Sequence, residues 1–211
     1  MDAKAGRRQP GFSSYNGAHD IERQPAEETT RRMDTDRQEH AVETSSDEAT
    51  NAPDIDEHLN DTSAYQRCFG CGTRNPIGLR LIFRREGDEI VTEFTPTAQF
   101  QGFPGVVHGG ILSTLLDETL SRTATAEGRW MMTGRLEVRY RAAAPVGQTL
   151  RVTARTVSSR SRMIHAEGEI RLASDPRTIV AEAQGTFLPI PREYQRRAVE
   201  DHPELAGFFE M

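Results

Sequence analysis

From residue 110 to about 127 the apolar positions recur at a helical period. Ile111, Leu112, Leu115, Leu116, Thr119 and Leu120 fall on one broad arc at about 100° per residue, which predicts a helix with a core stripe. The opposite arc carries Ser113, Asp117, Ser121 and Ala124, all small except the carboxylate, so another backbone or a thin ligand fits against it and Asp117 faces a cleft. On either side of this helix the period drops to two. Leu79, Leu81 and Phe83 alternate with Arg80, Ile82 and Arg84; Glu86-Gly87-Asp88 supplies a turn, and Ile90, Thr92 and Phe94 resume the alternation, predicting a strand hairpin. Strand-like runs follow over 131–142, 149–159, 163–173 and 178–188, separated by Pro145-Val146-Gly147, Ser159 to Arg162, and Ser174-Asp175-Pro176. One helix among about six antiparallel strands makes an α+β layer, sheet against helix. Pro189 and Pro191 close the sheet, leaving 191–211 as a tail with a short surface helix.

Residues 1–62 have scattered apolar positions without a period, too few to offset chain entropy, and are expected to be a disordered extension. That leaves 63–190 as one domain. The net charge of −6 is uneven: residues 1–62 hold 7 Lys+Arg against 15 Asp+Glu, or −8, and the rest is +2. A weakly positive domain suits an anionic ligand, but +2 is too little to indicate nucleic acid. No apolar run approaches the ~20 residues of a membrane span, and the N-terminus lacks the apolar centre of a signal peptide, so a cytoplasmic location is expected.

The chemistry gathers where the glycine-rich loop meets the helix. Gly109 and Gly110 lack Cβ atoms, and their N–H groups at the positive end of a helix suit an oxyanion or a phosphate. His108 precedes them and either orients the turn by hydrogen bonding or contacts the ligand. Asp117, two turns inside the helix, is too deep to be a cap. Glu118 and Arg122, four residues apart, read as a surface ion pair. The two cysteines form Cys68-x-x-Cys71. A zinc site needs four ligands and there is no second pair, while the Asn75-Pro76 and Gly78 that follow do not open a thioredoxin-type helix; a structural turn with half-buried thiols fits best, beside a metal shared across a dimer. No metal or cofactor is expected within the chain.

His108-Gly109-Gly110 followed by an apolar helix, with Asp117 nine residues after the histidine, resembles the hotdog-fold acyl-CoA thioesterases of the PaaI-like and THEM-like branch. Cys68-Phe69-Gly70-Cys71-Gly72 with Asn75-Pro76-Ile77-Gly78-Leu79 is similar to the opening of one bacterial subgroup, Gln101-Gly102-Phe103-Pro104-Gly105 to the loop before the turn, and Met132-Thr133-Gly134-Arg135-Leu136 to the strand after the helix. The resemblance spans about 65–190. It implies hydrolysis of acyl-CoA, with coenzyme A present only as part of the substrate. Asp117 would then be general base or nucleophile, Gly109 or Gly110 the oxyanion donor, Thr133 the residue that positions water, and Gln101 the amide near the thioester carbonyl. Arg160 and Arg162 would meet the coenzyme A phosphates. It also implies a homodimer or homotetramer whose active site draws on two subunits. The same fold admits a non-catalytic acyl-CoA or acyl-carrier binding module.

Overall fold

The helix predicted from the apolar stripe is α2, Gly109–Thr125, in a computed structural model that describes residues 57–63 and 65–208. Leu112, Leu115, Leu116, Thr119 and Leu120 are buried along it. Its end is set by Gly128, whose φ of +70° few side chains tolerate; Gly128 N–H bonds Thr125 O and Arg129 N–H bonds Ala124 O, closing a Schellman turn.

Six strands form one antiparallel sheet: β1 Phe83–Glu86, β2 Glu89–Phe94, β3 Met131–Tyr140, β4 Leu150–Arg160, β5 Met163–Leu172 and β6 Asp175–Pro189, in the order β1-β2-β4-β5-β6-β3. The connection through α2 carries the chain from β2 to the far edge, where β3 pairs with β6 and its other side is unpaired among the described residues. The helix approaches the sheet over a carpet of small residues. Ala154, Ala166, Ala181 and Ala183 are buried, and Leu120 lies over two glycines: a Cβ on Gly168 would come within 2.8 Å of Leu120 Cδ1, and one on Gly185 within 3.0 Å of its Cδ2.

Two expectations are corrected. The alternation at Leu79–Ile82 is not a strand: Arg80 has a φ of 55°, and Leu79 N–H and Leu81 N–H bond Phe69 O and Gly70 O of the cysteine loop, so β1 starts at Phe83. The domain also begins before residue 63. Glu57–Asn60 form a helical turn, α1, whose Leu59 is fully buried, and the Asn60 side chain donates to Phe83 O at 2.7 Å and accepts from Phe83 N–H at 2.8 Å. One buried leucine in an acidic segment carries no period to reveal it. The rest of the expected extension, 1–56, lies outside the described residues, as does 209–211 of the tail. The tail helix is α3, Arg192–Asp201.

Candidate active site

Asp117 projects from the middle of α2 toward β3, where Thr133 Oγ1 donates to Asp117 Oδ1 at 2.8 Å. That contact depends on an irregularity in β3. Thr133 pairs with Phe187 and Arg135 with Thr186, so Gly134 is an extra residue on β3 with no partner of its own. Cross-strand partners share a face, and Thr133 therefore shares the face of fully buried Phe187, as Leu136 shares that of Gly185 beneath the helix. Without the bulge, strict alternation would place Thr133 opposite Leu136, on the solvent side. Asp117 is half-buried, and desolvation raises its pKa against the lowering effect of the Thr133 hydroxyl; nearby Cys68 adds a smaller upward push.

At the start of α2, His108 is the N-cap. Its Nδ1 accepts from Gly110 N–H at 2.9 Å, so the neutral ring carries its proton on Nε2, exposed to solvent. This bond occupies the Gly110 donor and withdraws it from the anion-binding role expected for it. Ile111 and Leu112 N–H both bond His108 O, and Gly109 N–H has no partner among the described residues. Gln101 Oε1 accepts from Gly105 N–H at 3.2 Å, which ties its side chain to the loop that leads into the turn.

Tyr140, the last residue of β3, fixes this turn in place. Its hydroxyl donates to Gly109 O at 3.0 Å and lies 2.6 Å from Ser113 Oγ, which then serves as the donor in that pair. Only its period-two phase with Leu136 and Val138 hinted that it faces the helix.

Gly109 and Asp117 are eight residues apart on one helix, about 12 Å along its axis. A single carbonyl cannot meet both within hydrogen-bonding reach. Arg160 and Arg162 lie further on, at the end of β4 and in the turn after it, near the C-terminal end of α2, where Ser159 Oγ donates to Glu127 at 2.6 Å and Arg129 donates to Arg160 O at 2.8 Å. Both arginine side chains are exposed. One chain thus brings Asp117 to Thr133 and His108 to Gly109 and Gly110, but does not join the two groups. A concavity of about 440 Å³ on the solvent side of the sheet, among Glu137, Arg139, Arg155, Glu167 and Glu182, contains none of these residues.

Glu118 and Arg122 are a further correction, because they are not a surface pair. The Arg122 side chain is 5% exposed and Glu118 20%, 3.7 Å apart. Arg122 Nη2 donates to Cys71 Sγ at 2.8 Å and Nη1 to Tyr65 Oη at 3.0 Å, while Cys68 Sγ–H lies 3.3 Å from Glu118 Oε1. Burial pushes Glu118 up to about 7. The Cys71 thiol beside Cys68, and the Cys71 and Gly70 N–H groups, draw Cys68 down to about 5 against its desolvation, whereas Cys71 is held well above the usual thiol range by its bond to Cys68. The spacing of Glu118 and Arg122 was legible; the loop that folds over them was not.

A lone helix on an antiparallel sheet of this order, with a carboxylate at mid-helix and a glycine turn at its start, defines a hotdog domain. Residues 104–179 match the thioesterase superfamily model, and the domain has the hotdog fold. Acyl-coenzyme A thioesterase THEM5 of Mus musculus is 29% identical over 115 residues, covering 54% of this chain and 46% of its own length. Acyl-coenzyme A thioesterase THEM4 of Bos taurus is 24% identical over 140 residues, covering 65% and 56%. The solved structure of a thioesterase superfamily protein superposes with a TM-score of 0.55 at 27% identity, covering 65% of this chain and 73% of that one. The chain spans about half the length of the curated relatives it matches. No helix among the described residues is long and apolar enough to cross a membrane.

Proposed function

We propose that this protein hydrolyses acyl-CoA thioesters in a site completed by a second copy of the chain. The observation that carries the reading is the Thr133 bond to Asp117 Oδ1, which leaves Oδ2 of a half-buried carboxylate to take a proton from water. That water attacks the thioester carbon, and the coenzyme A thiolate leaves. The oxyanion needs a donor, and Gly109 N–H at the positive end of α2 has no partner among the described residues. Since Asp117 of the same helix lies two turns away, the Gly109 that serves it belongs to the second copy. The edge of β3 that is unpaired among the described residues, ten residues long and adjacent to Asp117, is the face along which that copy pairs. In this reading Arg160 and Arg162, exposed a helix half-length beyond Asp117, would meet the phosphates at the far end of the pantetheine arm. Soluble protein in the cytoplasm remains our expectation for its location.

Free-thiol release from short, medium, long and aryl acyl-CoA by the wild type and Asp117→Ala tests this. Turnover lost in the variant supports the reading. Undiminished hydrolysis in Asp117→Ala refutes the assignment, and saturable binding without turnover in the wild type means a binding module instead. Label from ¹⁸O-water appearing in the Asp117 carboxylate after a single turnover would make it the nucleophile rather than the base.

A further inference from the structure

The proposed hydrolysis makes no use of the cluster between the cysteine loop and α2. Cys68 Sγ, Cys71 Sγ and a Glu118 carboxylate oxygen all lie within 4.8 Å of one another. Cys68 Sγ and Glu118 Oε1 are 3.3 Å apart, close to the ~3.5 Å edge of a tetrahedron with a metal–sulfur bond of about 2.3 Å and a metal–oxygen bond of about 2.0 Å. The ligand atoms come from two elements, a loop and a helix, which are already pressed together: Gly70 lies so close to Glu118 that a Cβ would collide with the carboxylate.

We propose that Cys68, Cys71 and Glu118 bind a zinc-class divalent cation, with a fourth position open to water. The loop is shaped for it. Gly72 N–H bonds Cys68 O at 3.0 Å, and Gly72 has no room for a side chain against Gln66 O and Cys68 N. Cys-x-x-Cys is half of a zinc ligand set, and the third ligand is a residue that sequence spacing alone assigns to an ion pair. Charge also balances. Three ionised ligands carry −3, buried Arg122 contributes +1, and a divalent cation brings the desolvated cluster to zero. Arg122 Nη2, 2.8 Å from Cys71 Sγ, then acts as the outer hydrogen bond that orients a ligating sulfur. Two thiolates select zinc over magnesium or calcium. Cys68 is half-buried, which leaves an entry path. The cation would fasten the loop preceding β1 to the helix that carries Asp117.

The test uses the full chain, reduced with a phosphine, stripped with a chelator and titrated with Co²⁺ and then Zn²⁺. Because the chain has 2 cysteines in all, any sulfur-to-cobalt charge-transfer band reports this pair. The expected result is one Co²⁺ per chain with a near-ultraviolet band that Zn²⁺ abolishes, and a melting temperature several degrees higher with Zn²⁺. Cys68→Ser and Cys71→Ser should each remove about half of the band or all of it, and Glu118→Gln, which keeps both thiols, should weaken binding about tenfold or more. Circular dichroism of the metal-free variants separates lost binding from lost folding. A fully reduced wild type without the band overturns the proposal. So does a folded Glu118→Gln of unchanged affinity, or a Cys68–Cys71 disulfide that forms in air and is unaffected by saturating Zn²⁺, which would make the pair a redox device.

Discussion

Thr133 Oγ1 donates to Asp117 Oδ1 across 2.8 Å, joining the edge strand β3 to the middle of α2. A hydroxyl bonded to an ionised carboxylate is worth up to about 1.5–3 kcal/mol, less where water can take its place as at this exposed threonine, and in the proposed hydrolysis it decides which oxygen meets the substrate. Thr133→Val keeps the branched shape and removes the donor. We expect its kcat to fall about ten- to a hundredfold with little change in melting temperature, because Thr133 is exposed and water can replace its hydroxyl at Asp117. Steady-state hydrolysis beside a thermal melt checks this, and an unaltered kcat would remove Thr133 from the mechanism.

The general plan of this molecule was legible because its periods are long. The stripe from Ile111 to Leu120 and the alternations Leu136-Val138-Tyr140 and Leu150-Val152-Ala154 persist long enough to identify a helix and strands. The site was legible only in part, for a physical reason in each case. Thr133 reaches Asp117 through a bulge at Gly134, and one inserted residue reverses the face that alternation assigns. Gly110 looked like an anion donor until the His108 ring took its N–H. Glu118 and Arg122 show the spacing of a solvated helix pair, and only the chain 50 residues upstream decides that Cys68 covers them. Tertiary contacts outvote local spacing at each of these points.

Tyr140 anchors the glycine turn from the end of β3. Tyr140→Phe deletes the bonds to Gly109 O and Ser113 Oγ while leaving the ring against Gly109. The groups left behind can reach solvent, so the expected loss of stability is only about 0.5–1.5 kcal/mol. Activity should fall further than stability, since the turn that presents Gly109 N–H loses its brace. Denaturant unfolding compared with kcat separates the two; equal wild-type values in both would show that the tyrosine merely packs.

Gly168 sets how closely α2 approaches the sheet. A methyl group there would sit far inside contact with Thr153 O, a backbone atom that cannot swing away, and 2.8 Å from Leu120 Cδ1. Gly168→Ala should therefore destabilise the domain by about 1–3 kcal/mol, as overpacking does. Gly134→Ala is the contrasting case: its new methyl meets the end of the exposed Leu188 side chain, which can turn aside, and it should cost less than half as much. Chemical denaturation of both variants ranks them, and the reverse order would mean that the helix has slack over β5.

Two defective copies should repair one another if the site is shared. Gly109→Pro deletes the N–H at the first helical position, where proline is favoured, and the extended backbone of His108, at φ −63° and ψ 135°, is the conformation that a residue before proline adopts. Alone it should lose about 10²–10³ in kcat, the usual cost of one oxyanion donor. Asp117→Ala alone should be inactive. In a dimer containing one of each, the first site combines both defects and the second pairs an intact Asp117 with an intact Gly109. Random mixing makes half the dimers mixed, with one working site of two, so unfolding and refolding the variants together should restore about a quarter of wild-type activity. Restoration can arise only if Asp117 and Gly109 of different chains meet at one thioester. Should the mixture stay as inactive as its components while size-exclusion chromatography shows dimers, each site must lie within a single chain, and Gly109 would lose the oxyanion role.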